Sequence, residues 1–110
     1  MNHSMLRICR NLFFAVVFAL FLTASVRADD AAGTFKAKCA GCHGADGKGN
    51  TPAGKSMGAL PFKTAALITA SDADLIAATT NGKGKMPAYK SQLTAPQIAA
   101  VIVYVRTLQK

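Results

Sequence analysis

The 110-residue chain has no tryptophan, only five acidic side chains and an odd number of cysteines, three. An odd count excludes a fully paired disulfide framework within one chain. Five acids against thirteen Lys and Arg leave a formal net charge of +8, which suits acidic partners. No nucleic-acid-binding motif accompanies that charge, so nucleic acid is not an expected partner. The longest apolar run, Leu12 to Leu22, has 11 residues and falls short of the ~18 or more that a spanning helix needs. Sustained period-two alternation is absent, which argues against half-buried strands. The length fits one small domain and excludes a multi-domain enzyme.

The N-terminal segment has a composition of its own. Arg7 and Arg10 precede the apolar run, and Val26-Arg27-Ala28 follows it with a small residue where a signal peptidase cleaves. Residues 1–28 therefore read as a secretory signal peptide and residues 29–110 as the mature domain, with an uncleaved anchor as the alternative. The mature part has 82 residues, a net charge of +5, two cysteines and one histidine. Its apolar set includes 17 alanines and only 18 larger side chains besides the cysteines. Chains below about 80 residues rarely hold a fold on a side-chain core alone. With no disulfide framework available, something else must fill the middle.

Helical signals dominate the mature part. A short helix is expected from about Ala31 to Lys38, with Phe35 as its one large apolar residue. Gly41 to Gly58 carries six glycines and Pro52 and reads as a loop. Leu67-Ile68 suggests one helical turn. Ser71-Asp72-Ala73-Asp74 reads as a cap opening a helix that Asn81-Gly82 stops. Gly82 to Ser91 reads as a second loop. Thr94-Ala95-Pro96-Gln97 is a capping box. Behind it, Ile98, Val101, Ile102, Val105 and Leu108 form one apolar stripe. Arg106 and Lys110 suit the negative end of that helix. The expected fold class is all-α with long loops.

Cys39-Ala40-Gly41-Cys42-His43 is a C-x-x-C-H motif, the covalent attachment signature of c-type haem. Two thiols at this spacing reach two vinyl groups on one porphyrin edge, and His43 then offers a ring nitrogen to iron. Attachment of this kind is made outside the cytoplasm, which agrees with the leader. A dithiol redox pair would want a βαβ context. A zinc site would need four ligands, more than two cysteines and one histidine supply. One haem c is therefore the expected cofactor, and it would replace the bulky core side chains the chain lacks. Phe35, Leu60, Phe62, Leu75, Ile76, Tyr104 and the last helix are expected to pack around it.

A second axial ligand can come from Met57 or Met86. Met57 lies 14 residues beyond His43 in the glycine-rich loop, and Met86 lies 43 beyond it in Gly82-Lys83-Gly84-Lys85-Met86-Pro87. Methionine is more often a core filler than a ligand. Met86, in a polar loop between Lys and Pro, is poorly explained as filler and is the expected ligand. His/Met ligation fills both axial positions, which favours electron transfer over catalysis.

With these residues in view, the mature part resembles the class I c-type cytochromes. Three pieces carry the likeness: Phe35 through His43, Gly82 through Pro87, and Val101 through Arg106. The resemblance implies a small class I cytochrome c fold, with about three to four helices and long loops wrapped around one covalently bound haem. It implies that the first and last helices cross where Ala31 and Phe35 meet Val101 and Tyr104. It also implies a proline carbonyl accepting a hydrogen bond from the ligand histidine, a contact that fixes the imidazole tautomer. Pro52 is the first candidate and Pro61 the second. Residues 44–50 look like the loop of short bacterial members. Some members place a tryptophan on a haem propionate, and this chain has none.

The expected function is that of a periplasmic electron carrier. Lys36, Lys38, Lys48, Lys55, Lys83, Lys85 and Lys90 would ring the haem edge and steer a monomer to redox proteins with acidic docking patches. The alternative is a cytochrome subunit bound to a periplasmic dehydrogenase or terminal oxidase. A haem peroxidase or gas sensor is a further alternative and would require Met86 to be off the iron.

Overall fold

A computed structural model describes residues 26–110 and, ahead of them, His3, Met5 and Arg7. The remainder of the expected leader lies outside the described residues. Six helices follow one another between residues 26 and 110: α1 (Val26–Lys38), α2 (Ala40–His43), α3 (Pro52–Met57), α4 (Ala65–Thr69), α5 (Asp72–Asn81) and α6 (Ala95–Thr107). No strand occurs among the described residues; the one bridge, between Lys83 and Met86, closes a tight turn. The chain is all-α, as its periodicity implies.

α5 and α6 sit where their signals place them. Thr94 and Gln97 complete a reciprocal capping box at the start of α6. Its stripe is buried at Ile98, Val101, Ile102 and Val105, while Val103 on the opposite face is 64% exposed. Ser71 caps α5 by accepting from the Asp74 N–H at 3.0 Å. Asp72 and Asp74 then bring negative charge to its positive end. Phe35 of α1 is 1% exposed and packs with Cys39, Val101 and Val105. Its ring centroid lies 5.2 Å from that of Tyr104. Ala31 is buried in the same region.

Three expectations change. α1 already includes residues 26–30, ahead of the expected start near Ala31 and across the expected cleavage point. The stretch from Gly41 to Gly58, read as a loop, contains α2's last three residues and all of α3. Thr51 caps α3, Pro52 occupies its first turn where a missing N–H costs nothing, and Gly58 ends it in the left-handed conformation. Capping at both ends outweighs the helix-breaking tendency of the single internal glycine, Gly54. The helix count therefore rises above the expected three to four, through additions of only four to six residues.

Candidate haem site

α1 stops at Lys38, and α2 restarts one residue later with Cys39 as its cap. The Cys39 carbonyl accepts from both the Cys42 N–H (3.3 Å) and the His43 N–H (2.9 Å). That double acceptance tightens the turn and brings Cys39, Cys42 and His43 to one side of it. The two cysteines are not joined in a disulfide. Burial pushes the Cys39 thiol up from its ordinary range, which keeps it protonated at neutral pH.

The turn is held from behind by α3. Thr51 Oγ1 donates to the Cys42 carbonyl at 2.9 Å and accepts from the Gly54 N–H at 2.9 Å. A side chain at Gly54 would overlap the Cys42 carbonyl oxygen, so only glycine lets α3 approach this closely. Beyond the motif, the His43 carbonyl accepts from the Gly49 N–H at 2.7 Å. The His43 ring lies against Phe62, with centroids 4.8 Å apart and planes 30° apart. Burial lowers the His43 pKa, which favours the neutral imidazole, the form that ligates metals.

Met86 arrives from the other direction. α5 ends at Asn81, and Gly82 turns the chain at φ +79°. Lys83 and Met86 exchange two backbone hydrogen bonds (3.1 and 3.0 Å) around Gly84-Lys85. The chain is then pinned back on α5 by bonds from the Tyr89 N–H to the Thr79 carbonyl (3.0 Å) and from the Lys90 N–H to the Thr80 carbonyl (3.2 Å).

Between these walls lies a cavity of about 430 Å³, in the size range of cofactor sites. Cys39, Cys42, His43 and Met86 all line it, with Phe35, Leu60, Phe62 and Leu75 among its apolar walls. Two thiols, an imidazole and a thioether around one apolar space fit a covalently held haem. His43 Nδ1 is buried without a hydrogen-bond partner. Among the described residues no group of three or more His, Cys, Asp or Glu side chains converges as a zinc site would require.

Several expected residues fall elsewhere. Pro52 is outside the cavity wall, and the bond expected from His43 to its carbonyl is not made. As the first residue of α3, Pro52 directs its carbonyl along the helix axis toward the N–H four residues on. Pro61, the second candidate, accepts from the Thr64 N–H instead (3.2 Å). Ile76 and Tyr104 do not reach the cavity; Tyr104 packs against Phe35 on the side of α1 that faces away. Met57 does line the cavity, at its exposed margin (51% exposed). Of the seven lysines, Lys38, Lys83 and Lys85 border the cavity, and Lys36, Lys48, Lys55 and Lys90 do not.

Sequence reasoning also missed contributors. Thr51 was legible as a cap before Pro52, but nothing tied it to Cys42. Arg106 serves less as the end charge of its own helix than as a clamp. It bonds Asp72 at 2.8 Å and the Leu67 and Ala70 carbonyls at 3.1 and 2.6 Å, fixing the corner between α4 and α5. Gln109 lines the cavity and donates to the Phe62 carbonyl at 3.0 Å, a role with no sequence signal.

The sequence matches the family described as cytochrome c oxidase, cbb3-type, subunit III over residues 26–105. It is 44% identical to cytochrome c6 of Leptolyngbya boryana over 84 residues, which span 71% of this chain and 91% of that one. The chain belongs to the class I c-type cytochromes. This cytochrome is also 40% identical to cytochrome c6 of Rippkaea orientalis over 93 residues, covering 82% of this chain and 81% of the relative. It is 38% identical to the cbb3-type oxidase subunit FixP of Azorhizobium caulinodans over 76 residues, but these span only 25% of that protein. The solved structure of the KustC0563 c-type cytochrome superposes with a TM-score of 0.67 at 29% identity, covering 73% of this chain and 98% of that one. A monohaem electron carrier with one haem c is what this membership means for the cytochrome.

Proposed function

We propose that the cytochrome is a free periplasmic carrier whose haem is tethered by Cys39 and Cys42 and ligated by His43 and Met86. The observation that supports this is the convergence of those four side chains on one apolar cavity. When bound, the haem iron accepts and returns a single electron. The protein's part would be to exclude water, offer a neutral imidazole at His43 as one ligand, and supply the Met86 thioether as the second. Lys38, Lys83 and Lys85 at the cavity border supply a basic face for a redox partner with an acidic patch, docked by a monomer. Residues 1–28 act as the export signal; an intact mass starting at Asp29 checks it. Among the described residues no helix is long and apolar enough to cross a membrane.

A redox-monitored absorption spectrum of the holoprotein tests the assignment. A c-type haemochrome and a weak ferric charge-transfer band near the red edge are expected. Met86→Ala should abolish that band and lower the potential; an unchanged spectrum would remove Met86 from the ligand set. One observation favours a second reading, a subunit fixed in an oxidase: the match to the subunit III family and to FixP. Coverage of most of each cytochrome c6 against a quarter of FixP supports the free carrier. Purification from the native host separates the two, as a monomer or as a stoichiometric complex.

A further inference from the structure

We infer that Tyr89 is a latch, a positioning residue whose hydroxyl ties the Met86 loop to the haem-attachment turn and thereby holds Met86 in place. In a continuous helix the Lys38 carbonyl would accept from the Cys42 N–H. The break between α1 and α2 sends that N–H to Cys39 instead, at 3.3 Å. The Lys38 carbonyl is left at a helix end without its intrahelical partner, and Tyr89 Oη donates to it at 3.1 Å. The same irregularity that brings the thiols and His43 together therefore creates the acceptor for the opposite wall. Tyr89 also donates its backbone N–H to Thr79 and lines the cavity three residues beyond Met86. It joins α1, α5 and the Met86 loop at one point. No other side-chain hydrogen bond from residues 82–89 reaches the attachment turn among the described residues.

The inference rests on Met86 being the ligand, and the Met86→Ala spectrum tests that premise separately. Tyr89→Phe keeps the ring and the backbone tether and removes only the hydroxyl. Ferric holoprotein is titrated with imidazole, which competes with Met86 for iron. Loss of one hydrogen bond should raise imidazole affinity about fivefold, with a fall in reduction potential. A rise of about threefold or more supports the latch, and a smaller one overturns it. A lower melting temperature with unchanged imidazole affinity also overturns it, because that is what a merely structural bond would give. If Tyr89→Phe does not accumulate as holoprotein, a ring-fluorinated tyrosine at position 89 replaces it. That near-isosteric, stronger donor should lower imidazole affinity below wild type, and no change overturns the latch.

Discussion

The cavity has two walls, and they are held together by different kinds of contact. The His43 wall is knit locally. Thr51 binds Cys42, Gly49 binds His43, and Phe62 donates its N–H to Gly47 at 2.8 Å, all within 20 residues. Its closest approach, α3 on the Cys42 carbonyl, tolerates no side chain at Gly54. The Met86 wall is an excursion between Gly82 and Tyr89, closed by its own turn and secured by tethers near its exit. Local interdigitation opens only with the fold around it, whereas a tethered excursion can open by itself. The attachment side is thus built to be permanent and the methionine side to be the first to yield.

The largest expected effect lies on the permanent side. Replacing both cysteines, Cys39→Ala with Cys42→Ala, should abolish covalent haem completely, read as loss of the haem-stained band on a denaturing gel. The sharper test uses one glycine from each wall. Gly54→Ala drives a methyl group into the Cys42 carbonyl and should cost about 2–3 kcal/mol of stability, with little change in imidazole affinity of the surviving holoprotein. Gly82→Ala faces a positive φ of +79° and the Met86 carbonyl at 2.8 Å. With ψ at +163° this is a conformation essentially confined to glycine, so the variant's stability loss should also reach about 1–3 kcal/mol, but it should in addition weaken Met86 retention and raise imidazole affinity. If Gly54→Ala were the variant that loosened Met86, the two walls would be one mechanical unit and the contrast would be false.

The same contrast explains what could be read in the sequence. That Cys39, Cys42 and His43 share one cavity wall was legible because covalent haem chemistry would require their spacing in the chain itself. The place of Met86 on the cavity wall was legible because an apolar thioether between Lys and Pro has no packing explanation. α5 and α6 were legible from Ser71, Thr94 and the stripe from Ile98 to Leu108. The Tyr89 hydroxyl was not, because its acceptor is a backbone carbonyl 51 residues away that exists only through a break between two helices. Pro52 shows the converse. Its position after the motif was suggestive, but the Thr51 cap commits its carbonyl to a helix that composition alone read as loop. Arg106 was assigned to its own helix dipole, and only the folded corner shows that it serves the carbonyls of another helix.

Arg106 offers an intermediate effect. By binding Asp72 and the α4 carbonyls it sets the start of α5, the helix from which the Met86 excursion departs. Arg106→Met retains the apolar stem and removes the charged hydrogen bonds. A loss of about 2 kcal/mol in thermal or denaturant unfolding is expected, since bonds to charged groups contribute about 1.5–3 kcal/mol. Because α5 anchors the yielding wall, imidazole affinity should rise as well, which the same titration reads.

The smallest effect separates the two halves of that clamp. Asp72→Asn keeps an acceptor oxygen for Arg106 but removes the charge. The carboxylate is 64% exposed and the guanidinium 26%, so solvent screens the 2.8 Å pair. The expected loss is therefore below about 1 kcal/mol, including the weakened favourable charge in the first turn of α5. It should shrink further in high salt, while imidazole affinity stays at the wild-type value. A loss matching that of Arg106→Met would mean that the ion pair holds the corner. A small, salt-sensitive loss means that the Leu67 and Ala70 carbonyls do, and that Arg106 steadies the Met86 wall by capping α4.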